Sequence, residues 1–175
     1  RILERGLGLQ WPCPEKNHEG TPYLHKNTFS RGKGKFIPAA HRFPAEVPDN
    51  EYPVILTTGR ILYQYHTMTM TGKNSGLMKT AGEIYMEIHP ELAENLLLKQ
   101  GETVKVSSRR GSIKVKAKIT NKINKNTVFI PFHFAGGANI LTNNALDHFA
   151  KEPELKACTV KIEKLYLDAD CTEAR

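Results

Sequence analysis

Short runs of alternating or wholly apolar residues, separated by clusters of Gly, Pro and Asn, fill the chain from about residue 51 to 165. Pro53 to Leu56 opens as a β run and empties into Thr57-Thr58-Gly59-Arg60, followed by a polar and aromatic loop through Thr69. Gly72 to Gly82 is polar and reads as irregular, and Glu83 to Ile88 resumes as a strand. His89-Pro90-Glu91 reads as a helix start, with Pro at the first helical position and an acid in the first turn. That helix is expected over 90–99, with Leu92, Ala93, Leu96 and Leu97 on its apolar face and Gly101 placed to end it. Thr103–Ser107 and Ser112–Thr120 flank Arg109-Arg110-Gly111 as a β-hairpin. Its second arm puts Ile113, Val115, Ala117 and Ile119 on one face and Lys114, Lys116 and Lys118 on the other. Thr127 to Ile130 is an apolar strand ending at Pro131, and a loop rich in Gly, His and Asn follows. A short helix is expected over Thr142–Ala150, a charged bend over Lys151–Lys156, a final alternating strand over Cys158–Leu165 and a tail over 166–175.

Six short strands, one or two helices and no sustained βαβ rhythm predict a mainly β fold, a closed or nearly closed barrel with helical insertions. The absence of GxGxxG and Walker sequences removes the nucleotide-binding parallel-sheet classes. Residues 1–50 differ in kind: Pro12, Pro14, Pro22, Pro38, Pro44 and Pro48, together with Gly20, Gly32 and Gly34, forbid long regular elements. This stretch reads as an extended arm. Its Trp11, Tyr23, Leu24, Phe29, Phe36, Ile37 and Phe43 are too apolar for a free linker, so the arm is expected to pack on the barrel or on further domains. The domain reading is therefore an arm at 1–50, a barrel at 51–165 and a tail at 166–175.

Composition narrows the partners. The hydrophobic share of 39% describes a globular chain, and no apolar run approaches the roughly 18–20 residues of a membrane span. No signal-type segment opens the sequence, so a cytoplasmic location is expected, and the start at Arg1 reads as the middle of something longer. Cys13, Cys158 and Cys171 are too few and scattered for a disulfide framework or a metal pair. The net charge of +7 is concentrated between Glu102 and Asp147, where eight Lys and Arg side chains meet no acid. An anionic partner is one reading and a solvated Lys-rich sheet face the commoner one. A basic nucleic-acid-binding barrel is the alternative from another class, weakened because no aromatics stand among these basic residues.

Signals for catalysis are thin. The seven histidines show no HExxH or paired spacing, there is no GxSxG, and no catalytic residue or metal site is assigned. Two polar loops at strand ends, bearing Thr, Arg, His and Asn, suit holding a ligand more than breaking a bond.

Four stretches carry a family resemblance: TTGRILYQYHTMTMT, the SSRRG hairpin, VFIPFHFAGGANILTNNALD and KEPELKACTVKIE. Together they resemble the C-terminal molybdopterin-dinucleotide-binding domain of molybdenum- and tungsten-dependent oxidoreductases. The leader LQWPCP, HEGTPYL and RGKGKF is similar to the catalytic subunit of formate dehydrogenases, with nitrate reductases as near relatives. The resemblance covers about Gly8 to Leu165 and implies a six-stranded double-psi β-barrel. It implies a bis(molybdopterin guanine dinucleotide) cofactor with molybdenum or tungsten, formate oxidation to CO2, and 4Fe-4S clusters only upstream of this chain. The partners it implies are N-terminal domains of the same subunit and electron-transfer subunits, with no nucleic acid and no membrane insertion. The cofactor-binding residues it implies are Thr57, Thr58, Gly59, Arg60, Leu62, Gln64, His66, Thr67, Phe132, His133, Asn139 and Lys156. Gly59 would let backbone approach the ligand, Arg60 and Lys156 would offset phosphate or pterin carbonyl charge, and Asn139 would meet the pterin's amide-like edge. Gln64 and Met68 stand where many relatives carry His and Gly.

Overall fold

The computed structural model describes residues 8–165; the tail expected at 166–175, including Cys171, and residues 1–7 lie outside the described residues. The chain divides into two units, one ending at His41 and one beginning at Arg42. In the first unit no helix or multi-residue strand forms among the described residues, as its Pro and Gly content requires. A local closure ties Thr21 N–H to the Gln10 carbonyl at 2.9 Å and Thr21 Oγ1–H to the Pro12 carbonyl at 2.6 Å. Trp11, Tyr23, Phe36 and Ile37 are exposed, Phe36 almost completely at 99%.

The second unit is a closed barrel of six strands: β1 (Val54–Gly59), β2 (Tyr85–Ile88), β3 (Thr103–Ser107), β4 (Ser112–Ile119), β5 (Thr127–Pro131) and β6 (Cys158–Lys164). Their order around the barrel is β1-β5-β2-β4-β3-β6. The pairs β1·β5 and β2·β4 are parallel and the other four antiparallel. Exchanging β1, β2 and β3 for β4, β5 and β6 maps this pattern onto itself. The fold is thus two interlocked three-strand halves, the double-psi arrangement.

Alternation decides which side faces in. Along β4 the exposed Lys114, Lys116 and Lys118 interleave with the buried Ile113, Val115 and Ala117. Leu56, Met86, Ile88, Val104, Val106, Val128, Ile130 and Val160 are fully enclosed, and each such burial contributes roughly 1.5–3 kcal/mol. On the wet face two of these lysines find acids: Lys118 pairs with its register partner Glu87 at 3.0 Å, and Lys116 with Glu83, just before β2, at 2.6 Å. Lys125 pairs with Glu91 at 2.5 Å. Three of the eight basic residues between Glu102 and Asp147 are thus matched by acids in or beside β2 and in the helix that follows it.

Three elements differ from the sequence expectations, each for a local reason. The stretch expected to be irregular contains a helix, α1 (Ser75–Ala81), because the Asn74 side chain caps it by accepting from Leu77 N–H at 3.0 Å. The helix expected over 90–99 is shorter, α2 (Pro90–Asn95); it begins at Pro90 as its motif predicts, and the His89 side chain caps it by accepting from Glu91 N–H. It stops because Leu97 adopts a left-handed φ of 54°, which turns Leu98 into the core. The helix expected over Thr142–Ala150 does not form. The Asn143 side chain instead donates to the Ala157 carbonyl at 2.7 Å and accepts from Ala145 N–H at 2.9 Å. Asp147 accepts from Phe149 and Ala150 N–H in the same way, and such side-chain bonds compete with helix formation.

Residues 42–53 belong to the barrel unit through a charged latch. The Glu46 carboxylate receives the Arg110 guanidinium and the Thr159 N–H at 3.0 Å. Asp49 receives Arg109, whose guanidinium also lies over the Tyr52 ring at 4.5 Å and donates to Thr159 Oγ1 at 2.8 Å. Burial pulls the Glu46 carboxyl upward, but the Arg110 bond, the Thr159 N–H and the two arginine charges outweigh it and leave it below the ordinary value of 4.5.

Candidate functional site

The parallel pairing of β1 with β5 places Gly59 opposite Pro131, so both strands empty at one end of the barrel. β6 begins at the same end, with Cys158 opposite Leu56, and the β3–β4 turn reaches it through Arg109 and Thr159. Segments 60–84, 108–111 and 132–157 consequently crown a single end. The two strand-end loops singled out in the sequence are neighbours for this topological reason.

Thr58, buried, donates its hydroxyl to the Leu155 carbonyl at 2.7 Å, and its own carbonyl accepts from Lys156 Nζ at 2.7 Å. Lys156 is thereby held at the mouth of β1 with its remaining ammonium protons available to another acceptor. Thr57, half-buried, lies opposite Phe129. A Cβ on Gly59 would lie 2.7 Å from the Phe129 ring, and the Gly59 carbonyl accepts from Phe132 N–H at 3.2 Å. A side chain at this position would have to displace the Phe129 ring.

Arg60 comes next, exposed, with no hydrogen bond or ion pair to any described residue. Leu62 is exposed at 88%. Gln64 is buried: its amide donates to the Ala81 carbonyl at 2.8 Å and accepts from Thr71 Oγ1–H at 2.6 Å, tying the loop to α1. His66 and Met68 take left-handed φ values of 45° and 62°, a conformation that L-residues with a Cβ adopt at a cost. The glycine that relatives are expected to carry at position 68 has its explanation there. Thr67 shares a 3.0 Å hydroxyl contact with Thr69, and the His66 ring stands edge-on to Tyr65 at 4.5 Å.

From the other loop, His133 is 1% exposed and packs against Phe132 with ring centroids 4.7 Å apart. Its Nε2 accepts from Ile61 N–H at 3.0 Å and its Nδ1 meets the His66 carbonyl. Asn139 sits exposed in a 3-10 turn, Ala138–Ile140, with its side-chain amide free of bonds to described residues. Close packing of Gly111 on Ile140 holds that turn, since a Cβ at Gly111 would lie 2.6 Å from Ile140 Cγ2.

The structure thus joins Thr58, Gly59, Gln64, His66, Phe132, His133 and Lys156 in one bonded and packed network. Thr57 flanks that network on β1. Arg60, Leu62, Thr67 and Asn139 stand exposed on the same crown. The exposed set carries a guanidinium, an amide and a hydroxyl, and Lys156 adds an ammonium; these suit phosphate oxygens and a heterocycle's amide-like edge. Thr71 and the carbonyls of Ala81 and Leu155 complete the network. Thr71 carried a weak signal as one more hydroxyl in a polar loop, whereas backbone acceptors carry none. An open cleft of about 710 Å³ adjoins the loop, bounded by Leu62, Tyr63, Met78, Tyr85, Lys118 and Lys122.

Burial pushes the Cys158 thiol up to about 11, which keeps it protonated and inert. Among the described residues no group of three or more His, Cys, Asp or Glu could hold a metal ion, and no helix is long and apolar enough to cross a membrane.

Residues 54–159 match the family described as Molydopterin dinucleotide binding domain. The chain is 50% identical over 161 residues to F420-dependent formate dehydrogenase subunit alpha of Methanocaldococcus jannaschii, covering 90% of this chain and 24% of that protein. It is 40% identical over 166 residues to the assimilatory nitrate reductase catalytic subunit of Bacillus subtilis, covering 91% and 23%. Among solved structures, acetylene hydratase from Pelobacter acetylenicus superposes with a TM-score of 0.58 at 20% identity, over 65% of this chain and 18% of that one. That likeness concerns the fold. The chain spans about a quarter of the length of these curated relatives.

Proposed function

The chain belongs to the Molydopterin dinucleotide binding domain family, and on that footing we propose that it holds the dinucleotide cofactor of a formate dehydrogenase catalytic subunit. The observation that carries this reading is the 50% identity, over 90% of the chain, to a formate dehydrogenase alpha subunit. The crown supports it, since its donors match the chemistry of a pterin dinucleotide. Arg60 and Lys156 would face diphosphate or pterin carbonyl oxygens, Asn139 the amide-like edge of the heterocycle, and Thr57 and Thr67 would add hydroxyls. Leu62 would cover an apolar part of the ligand. When bound, a bis(molybdopterin guanine dinucleotide) supplies the molybdenum or tungsten chemistry that takes two electrons from formate. The residues of this chain bind and orient it, and the domain alone would be inactive.

The rest of the catalytic subunit, with its 4Fe-4S clusters, and electron-transfer subunits are the partners of this reading. The exposed Trp11, Phe36 and Ile37 would be covered by those other domains. The 40% identity to a nitrate reductase favours a second reading in which the substrate is nitrate and the role of the domain is the same. The nucleic-acid alternative loses support, because Lys116, Lys118 and Lys125 already face Glu83, Glu87 and Glu91.

The test is to purify the full-length native protein that carries this chain, assay molybdenum, tungsten and guanine dinucleotide, and measure turnover with formate and with nitrate. Metal and dinucleotide with formate-dependent electron transfer are expected. Turnover of nitrate alone would replace the substrate, and a protein free of pterin would overturn the assignment.

A further inference from the structure

The two nitrogens of the His133 ring are both committed inside the protein, which separates this residue from the exposed members of the crown. We propose that His133 is a positioning residue that, with Gln64, holds the 60–67 loop in its ligand-facing shape without touching the ligand. The proposal rests on the reading that this loop faces the dinucleotide.

The chemistry of the ring follows from its partners. A carbonyl only accepts, so the Nδ1 beside the His66 oxygen carries the hydrogen; an N–H only donates, so the Nε2 beside Ile61 is bare. The two bonds use one neutral tautomer and leave no nitrogen for a ligand. At 1% exposure the ring is also out of reach of anything outside the loop.

The anchors are well spaced for restraint. Ile61 is where the loop leaves β1, and His66 is the first of its two left-handed residues. Between them Gln64 fastens the same loop sideways to Thr71 and Ala81 at the two ends of the α1 region. Three internal fastenings within six residues leave Arg60, Leu62, Tyr65 and Thr67 facing out. Preorganisation of this kind lowers the ordering entropy that binding would otherwise require. Loss of the ring's bonds should loosen the loop and leave the barrel, whose core does not depend on them.

The experiment uses the full-length native protein with His133→Phe, His133→Gln and His133→Asn, read by hydrogen exchange at the 60–67 amides and by the rate at which guanine dinucleotide is lost. Losing the bond to Ile61 is expected to speed exchange of its amide about tenfold in His133→Phe. β1 and β5 amides should be unchanged, and dinucleotide loss should accelerate alongside. His133→Gln, whose amide oxygen can still accept from Ile61, should recover much of the protection, while His133→Asn should not. Should the Phe variant fail to fold, the Gln and Asn pair decides.

Exchange unchanged in the loop, or raised equally across β1 and β5 without recovery by Gln, overturns the proposal. A loosened loop with dinucleotide retained as in wild type leaves the clamp standing and overturns its positioning role, together with the ligand-facing reading beneath it.

Discussion

Replacing Glu46 with Ala should destabilise the barrel by about 2–4 kcal/mol at neutral pH. The Glu46 side chain is only 13% exposed and receives two nitrogens of Arg110 together with the Thr159 backbone N–H. Thr159 is fully buried, so its N–H is left without a partner, at a cost of about 1–3 kcal/mol. Arg110 keeps its two bonds to the Leu141 carbonyl, which limits the remaining loss to the charge-assisted pair, about 1 kcal/mol at this partial exposure. Glu46→Gln retains an acceptor for Thr159 and should lose about half as much. The effect has a pH signature. Because the folded-state carboxyl lies below its ordinary 4.5, its contribution is present above that value and is lost as pH falls through the depressed folded value. Urea unfolding of wild type and Glu46→Ala at pH 7 and at pH 3.5 checks this: the gap between the two should narrow in acid. A gap below 0.5 kcal/mol at pH 7, or one of the same size at both pH values, would refute the latch.

Three further outcomes are expected. Met68→Gly removes a Cβ from a φ of 62° and should raise stability by about 1 kcal/mol in thermal melts, whereas Met68→Val should lower it. Gly59→Ala drives a methyl to 2.7 Å from the Phe129 ring and should cost about 1–3 kcal/mol, measured by denaturant titration; a neutral result would show that β5 yields there. Arg60→Ala touches no bond to a described residue, so stability should stay within about 0.5 kcal/mol while dinucleotide content of the full-length protein falls, by chromatography of released nucleotide. Unaltered content would remove Arg60 from the site.

The barrel was legible because its strands are amphipathic or wholly apolar with clear ends. Val104, Val106, Ile113 and Val115 announce their burial by alternation alone, and Pro131 and Gly111 mark where pairing stops. Closure could be read only as a strand count, since a strand carries no mark of whether its neighbour is near or distant in sequence. The helix α1 was missed because Gly76 and Thr80 weaken its propensity and the Asn74 cap decides the outcome. The helix expected at 142–150 was overruled by Asn143 and Asp147, whose side chains found backbone partners nearer than a helix could offer. At the crown, residue types pointed to a ligand-holding loop. Which of these side chains are buried and bonded within the protein, as His133 and Gln64 are, depends on packing that no spacing encodes.

The order of strands around the barrel also sets when the chain can become a barrel. β1 is flanked by β5 and β6, which lie some seventy and a hundred residues downstream, and β2 is flanked by β5 and β4. During synthesis β1 therefore waits longest, apolar and without a partner until β5 emerges, whereas β4 can pair with both β3 and β2 as soon as it emerges. Residues to about Lys164 must leave the ribosome before the last seam is sewn. A polypeptide cut short anywhere before that point keeps open strand edges of the kind that invite aggregation.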